Sequence, residues 1–346
     1  MFTVEALCNV HSHLREVGDV MKALIAMAVR GGADVILPMP NTKAGLVTGQ
    51  QVMGYCSEVW ALVPPCAAPR LIPTLMITES TPEEEPASSV KMGVLDAKIY
   101  PRDRTTKSEN GVRDYSRLLP IITACGKVGM TVHLHPEHPW MVFGNRDAEF
   151  GFLSIADMFL RQTNATIIWE HGTDARCIPF WKEMAKTGRF FVTITAHHLA
   201  GNEDGSFGDV RSVCKPPLKT ELDRQDLVHL VTENYPWVMA GGDDAAHDVT
   251  AKHVHEGQCA CGAYTGPFLL QLYAHALSDL LKSGEAGKQI FINFTSRNGR
   301  RLHGLPDASR TFTLENREFL IPPNYAIGPW TVEPFWAGKK LDYCLS

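Results

Sequence analysis

Short apolar runs alternate with longer amphipathic stretches along most of the chain. Eight of the short runs, at 2–10, 33–39, 70–77, 93–100, 130–135, 165–169, 189–195 and 237–241, show little polar alternation, and several are rich in Val, Ile, Thr or Phe. Continuous apolar character over such lengths describes strands buried on both faces. The longer stretches, among them 20–30, 48–61, 114–127, 152–162, 175–187 and 220–234, space their apolar residues as helices do. Eight buried strands alternating with helices predict an α/β protein built as a (β/α)8 TIM barrel, although a doubly wound open sheet would alternate in a similar way. The segment 306–346 breaks the pattern, setting Phe312, Phe319 and Trp336 among Pro and Gly. It reads as short strands or loops packed on the outside rather than as a separate domain.

Length alone points elsewhere, since 346 residues at about 150 per domain suggest two domains. Barrels of about 250 residues or more fold as one unit, so the strand pattern replaces that expectation with a single domain over 1–346, of which 306–346 is the external tail. Nine cysteines are scattered from Cys8 to Cys344 with only Cys259 and Cys261 close together, which is not a disulfide framework. Lys and Arg total 33 against 38 Asp and Glu, and with a net charge of −5 and no basic run neither nucleic acid nor an anionic membrane surface is an expected partner. No window approaches about 18 uncharged apolar residues, and the first ten residues lack the pattern of a signal peptide. A soluble cytoplasmic protein is the expectation. What stands out is 14 histidines, several paired or next to a carboxylate.

In a barrel, reactive groups belong at the C-terminal ends of strands. The first run ends in His11-Ser12-His13-Leu14-Arg15, and since residues i and i+2 of an extended segment point to one side, both histidines can face one metal ion. Lys98 stands among Ala97, Ile99 and Tyr100 near the end of the fourth strand, where a lysine is costly unless paired or modified. The fifth ends in His133-Leu134-His135 with Glu137 following, the sixth in Glu170-His171, and the eighth in Gly241-Gly242-Asp243-Asp244 with His247 beyond. Each feature has an ordinary explanation: a lone His-x-His is more often a polar strand end, Asp243-Asp244 could cap a helix, and a buried lysine could pair with a carboxylate. Their joint occurrence at five strand ends of one barrel is harder to obtain by chance. Imidazoles and carboxylates suit Zn²⁺ and related ions, and two ions close together are best bridged by an anionic group. An ammonium has no lone pair to offer, whereas a carbamylated Lys98 would supply two anionic oxygens.

The order of motifs resembles the amidohydrolase superfamily and, within it, the dihydroorotases of the shorter, single-function type. The resemblance runs from His11 to Pro334-Phe335-Trp336-Ala337-Gly338-Lys339-Lys340-Leu341, and takes in Met39-Pro40-Asn41, Ala97-Lys98-Ile99-Tyr100-Pro101, Thr195-Ala196-His197-His198-Leu199 and Val213-Cys214-Lys215-Pro216. It implies a binuclear zinc centre at the C-terminal strand ends. His11 and His13 would bind one Zn²⁺ with Asp243, His135 and His171 the second, and carbamylated Lys98 would bridge the two together with a hydroxide. The resemblance makes Asp243 the proton carrier between that bridging solvent and the leaving amide nitrogen. It places Arg15, Asn41 and His247 on a substrate carboxylate, Lys215 on the substrate ring through its backbone, and Thr105 and Thr106 at the tip of a mobile loop. It also implies a homodimer acting on a small carboxylated substrate.

Three motifs depart from the family pattern. Ser12 replaces a hydrophobic residue, His135-Pro136-Glu137 replaces His-Gly-Glu, and Gly242-Asp243-Asp244-Ala245-Ala246-His247 replaces Thr/Ser-Asp-Ser-Ala-Pro-His. None removes a ligand, but Asp244 adds a negative charge that would repel an anionic substrate if it points into the pocket. The leading expectation is reversible cyclisation of N-carbamoyl-L-aspartate to L-dihydroorotate. Ser12 and Asp244 keep open a related hydrolase of cyclic imides, hydantoins or lactam-like rings. A non-catalytic structural homologue would have no need of the full ligand set. Cys259-Ala260-Cys261, with His253 and His255 before it, is spaced poorly for a tetrahedral site and reads as a loop beside the pocket.

Overall fold

The computed structural model describes residues 1–64, 68–105, 108–140 and 142–346. The eight apolar runs occupy eight successive strand positions, two of them in an unexpected form. The first run is two strands, β1 (Phe2–Glu5) and β2 (Leu7–Ser12), and only β2 belongs to the barrel. β3 (Ala33–Pro38) follows, and the third run is again two pieces, β4 (Arg70–Leu71) and β5 (Thr74–Ile77). Pro73 has no N–H to give a ladder, so the strand breaks there, and the Thr74 hydroxyl donates to the Ile72 carbonyl at 3.1 Å. The remaining positions are β6 (Asp96–Ile99), β7 (Thr131–Leu134), β8 (Thr166–Trp169), β9 (Phe190–Ile194) and β10 (Val238–Ala240).

All neighbouring pairs are parallel. β2, β3 and β4 form one sheet and β5 to β10 another, the break at Pro73 handing the third position from one to the other. Where the first position returns to the eighth, the described residues show a single bridge, Ser12 to Asp244, flanked by Asp243 N–H to the His11 carbonyl at 2.9 Å and His13 N–H to the Asp244 carbonyl at 3.2 Å. The hydrogen-bonded ring is therefore not closed, and its seam lies at the candidate site.

Helices cover the outside. α1 (Asp19–Arg30), α2 (Gly49–Leu62) and α3 (Glu221–Thr232) bury Leu24, Ile25, Val52 and Leu230 against the sheet, each fully buried side chain of this kind contributing roughly 1.5–3 kcal/mol. Thr48 and Thr220 start α2 and α3 with capping boxes, reciprocated by Gln51 and Asp223. A second apolar cluster, including Cys8, Val10, Val35, Met76, Ile168 and Met239, fills the barrel interior. The short helix α4 (Asn298–Leu302) lies near the N-terminal ends of the strands, where Leu302 joins that cluster.

The tail forms β11 (Thr311–Leu320), β12 (Tyr325–Ile327), β13 (Trp330–Val332) and β14 (Lys340–Leu345). β11 lies between β1 and β14 in a small antiparallel sheet, and β12 pairs with β13. Among the described residues no helix is long and apolar enough to cross a membrane.

Candidate active site

The candidate ligands gather where β2, β6, β7, β8 and β10 end. His11 is inside β2 and His13 just past it, and the Nε2 atoms of both lie 3.1 Å from one oxygen, Oδ1 of Asp243. His171 closes the group, so that ligand atoms of His11, His171 and Asp243 lie within 4.8 Å of one another. The His135 ring stands edge-on to His171 with centroids 4.5 Å apart. Three of these chain ends hold rare backbone conformations: φ is +66° at Arg15, +39° at His171 and +44° at Asp243. Non-glycine residues occupy that region at a cost, and such strain gathers at functional sites.

Lys98 lies beneath. It is fully buried, its Nζ has no hydrogen-bond partner, and it sits 5.5 Å from the centroid of the Tyr100 ring. Burial pushes its ammonium down to about 8, against the pull of Glu170 and Asp243. The same burial opposes charge on Asp243, but the imidazoles of His11 and His13 outweigh it and hold the carboxyl well below the usual range. Asp243 is therefore ionised.

Glu170 was not among the sequence-derived candidates. Its Oε2 accepts from His11 Nδ1 at 2.9 Å and from the Thr193 hydroxyl at 2.6 Å, while its Oε1 meets His133 Nδ1 at 2.5 Å. An imidazole that donates from Nδ1 to a carboxylate presents its Nε2 lone pair, and outer carboxylates orient metal-binding histidines in this way. Glu137 bears on His135 similarly, accepting from Nε2 at 2.8 Å, which leaves the lone pair of the neutral ring on Nδ1. The Nδ1 of His171 is buried without a partner. Four imidazoles, a carboxylate and an orphaned amine thus converge, and this donor set fits divalent metal ions.

A narrow cleft opens above, lined by His11, His13, Arg15, Asn41, Thr105, His135, Lys215 and Asp243, together with Tyr100. Arg15 is anchored by two bonds to the Ala246 carbonyl, from Nε at 3.0 Å and Nη2 at 2.6 Å. His247 stands behind Arg15 rather than on the cleft wall, with Nε2 3.1 Å from Arg15 Nη2 and 2.9 Å from the Cys261 carbonyl. Lys215 reaches toward Glu137 at 3.8 Å and donates to Asn145. Arg104, next to Thr105, donates to the carbonyls of His138, Trp140 and Phe143 and so ties two loops together. Thr106 lies outside the described residues.

Asp244 turns away from the cleft. Asn9 Nδ2 donates to its Oδ1 at 3.2 Å, and burial, opposed by the nearby Ser12 hydroxyl and Asn9, pushes its carboxyl up to about 6. A Cβ on Gly266 would meet its Oδ2 at 2.9 Å, so it is packed against the turn that follows the seam. The two departures at Ser12 and Asp244 are one arrangement, bridged across the seam, and they put no charge on the cleft wall.

No family model matches the chain. Over 342 residues it is 32% identical to the dihydroorotase of Acidovorax sp. (strain JS42), covering 97% of this chain and 95% of that one. Among solved structures it resembles a dihydroorotase from Saccharomyces cerevisiae in complex with 5-fluoroorotic acid, with a TM-score of 0.91 and 24% identity over 100% of this chain and 99% of that one. It also resembles an L-hydantoinase (dihydropyrimidinase) from Arthrobacter aurescens, with a TM-score of 0.80 and 12% identity over 99% and 84%. The two structures show that the chain shares their fold. With nearly a third of its residues identical to a dihydroorotase across almost the whole of both chains, this chain belongs to the dihydroorotase family.

Proposed function

We propose that the protein is a metal-dependent cyclic amidohydrolase that interconverts L-dihydroorotate and N-carbamoyl-L-aspartate, a step of pyrimidine biosynthesis. The observation that carries this reading is Lys98, a fully buried amine without a partner beneath His11, His171 and Asp243. A carbamate explains it: the neutral amine adds to CO2, an N–C bond forms, one proton leaves from that nitrogen to solvent, and the side chain becomes an anion with two oxygens. His11, His13 and Asp243 would then hold one divalent cation, His135 and His171 the other, and carbamylated Lys98 both. Two such ions, zinc being well suited to these nitrogen and oxygen donors, would polarise a ring carbonyl and acidify the attacking water.

The chain's own groups do the rest. Ionised Asp243 takes the proton of the attacking water and returns it to the ring nitrogen as the amide C–N bond breaks. Glu170 keeps His11 in the tautomer that turns Nε2 to the site. Arg15, already anchored on the Ala246 carbonyl, stands with Asn41 on the cleft wall to receive a substrate carboxylate. His247 steadies Arg15 from behind, the Lys215 backbone meets the ring, and Thr105 faces it from the cleft wall. With Asp244 turned toward Asn9, the cleft has no added negative charge to repel a carboxylated ring.

Loss of the ultraviolet absorbance of dihydroorotate over the zinc-loaded protein tests the proposal. Turnover of dihydroorotate with little of hydantoin is expected; the opposite pattern overturns it. Asp243→Asn should lower kcat by roughly 10²–10⁴-fold, the range of general acid–base catalysis. Lys98→Ala should abolish turnover and remove a mass increment of one carboxyl group, and full activity in that variant refutes the carbamate.

A further inference from the structure

The barrel interior holds a second set of ligand atoms, below the rim. Successive inward positions of a strand are two residues apart, so Asp96 lies one layer beneath Lys98 on β6 and His133 one layer beneath His135 on β7. His303, which follows α4, comes up from the N-terminal face. Asp96 Oδ1 is 2.9 Å from His133 Nε2 and 3.2 Å from His303 Nδ1, and the two imidazole rings are nearly parallel, 16° apart in plane. All three side chains are at least 96% buried. Ligand atoms of the three lie within 4.8 Å of one another.

Around them the interior is apolar, with Ile72 of its cluster at the break beside Pro73 and Met76 and Ile168 on adjoining strands, and a carboxylate there is costly without compensation. His133 Nδ1 already faces Glu170 Oε1. A neutral ring donating on that side turns the lone pair of Nε2 at Asp96 Oδ1, itself an acceptor, so a positive charge belongs between them. His303 Nε2 is buried with no partner, and His303 and Asp96 line a cavity of about 220 Å³ that opens on the N-terminal face beside Arg70, Thr131 and Leu305.

We propose that Asp96, His133 and His303 bind a divalent transition-metal ion of the zinc class, separate from the rim site, with a further coordination position turned to this cavity. Two nitrogens and one oxygen leaving one place open match the ligand types such ions take. The site is linked to the rim by Glu170, whose two oxygens hold His133 and His11. The alternative is a proton, His133 being an imidazolium between two carboxylates.

Crystals of the full chain loaded with Zn²⁺ and measured at the zinc absorption edge decide between them. An anomalous peak enclosed by Asp96, His133 and His303 is the expected result. Zinc at the rim with none among these three residues overturns the proposal. In solution, Co²⁺ titration of the wild type should show one more binding equivalent than His303→Ala or the bulkier His303→Gln, with the other equivalents unchanged. Equal stoichiometry in wild type and a folded variant also overturns it, and the crystal measurement stands if neither variant folds.

Discussion

Glu170 is shared between two imidazoles, and a single carboxylate with both oxygens committed cannot be replaced by an amide without loss. Glu170→Gln keeps one acceptor and turns the other into a donor facing either His11 or His133. Removing an outer carboxylate from a metal-binding histidine typically costs 10–100-fold in metal affinity or activity. A fall of about that size is expected in both kcat and the zinc affinity measured by chelator competition, and wild-type values would show that His11 needs no orientation. The histidines themselves were legible because His-x-His parity is a local property of an extended chain. Glu170 was visible as a neighbour of His171 but not as the partner of His11, 159 residues away. Asp244 was misleading for the same reason, since its partner Asn9 is 235 residues away.

At the scale of elements, Pro73 divides the third strand and the chain crossing at Glu5 to Leu7 divides the first, so two continuous apolar runs became four strands. Apolar runs report burial without telling how it is shared: β2 and β5 are buried throughout, whereas β1 buries only Val4 and β4 only Leu71. The end of α1 shows a similar limit. Gly31 caps the helix with φ −77°, which any residue adopts. What requires glycine is the turn at Gly266: a Cβ on Gly31 would lie 1.8 Å from the Gly266 carbonyl oxygen. Gly31→Ala is expected to destabilise by about 3 kcal/mol or more, beyond the usual range for overpacking, because backbone rather than a side chain must move. Gly129→Ala, at φ +73° with open space around it, should cost only about 1–2 kcal/mol. Urea unfolding midpoints of the two variants test this ranking, and equal midpoints would mean that α1 and the 266 turn are not in contact.

For the molecule as a whole, Glu149 links stability to pH. It is fully buried, accepts from Trp169 Nε1 at 3.2 Å and Thr173 N–H at 2.9 Å, and burial pushes its carboxyl up from 4.5 to about 7. A raised carboxyl favours the protonated folded state, so this stabilisation is complete below about pH 4.5 and lost as pH rises through about 7. The shift corresponds to roughly 3 kcal/mol. Glu149→Gln does not titrate, and its Tm should gain on the wild type between pH 5 and 8; a difference that ignores pH removes Glu149 from the acid–base balance of the fold. The eight-strand alternation and the placing of ligand-type residues at strand ends were determined by the sequence alone, because periodicity and i, i+2 parity act over a few residues. The tertiary structure decided what meets across the barrel: Glu170 between His11 and His133, Asp244 with Asn9, and Asp96 with His303. These pairs join residues far apart in the chain, and only strand register and packing around the barrel bring them within hydrogen-bond distance.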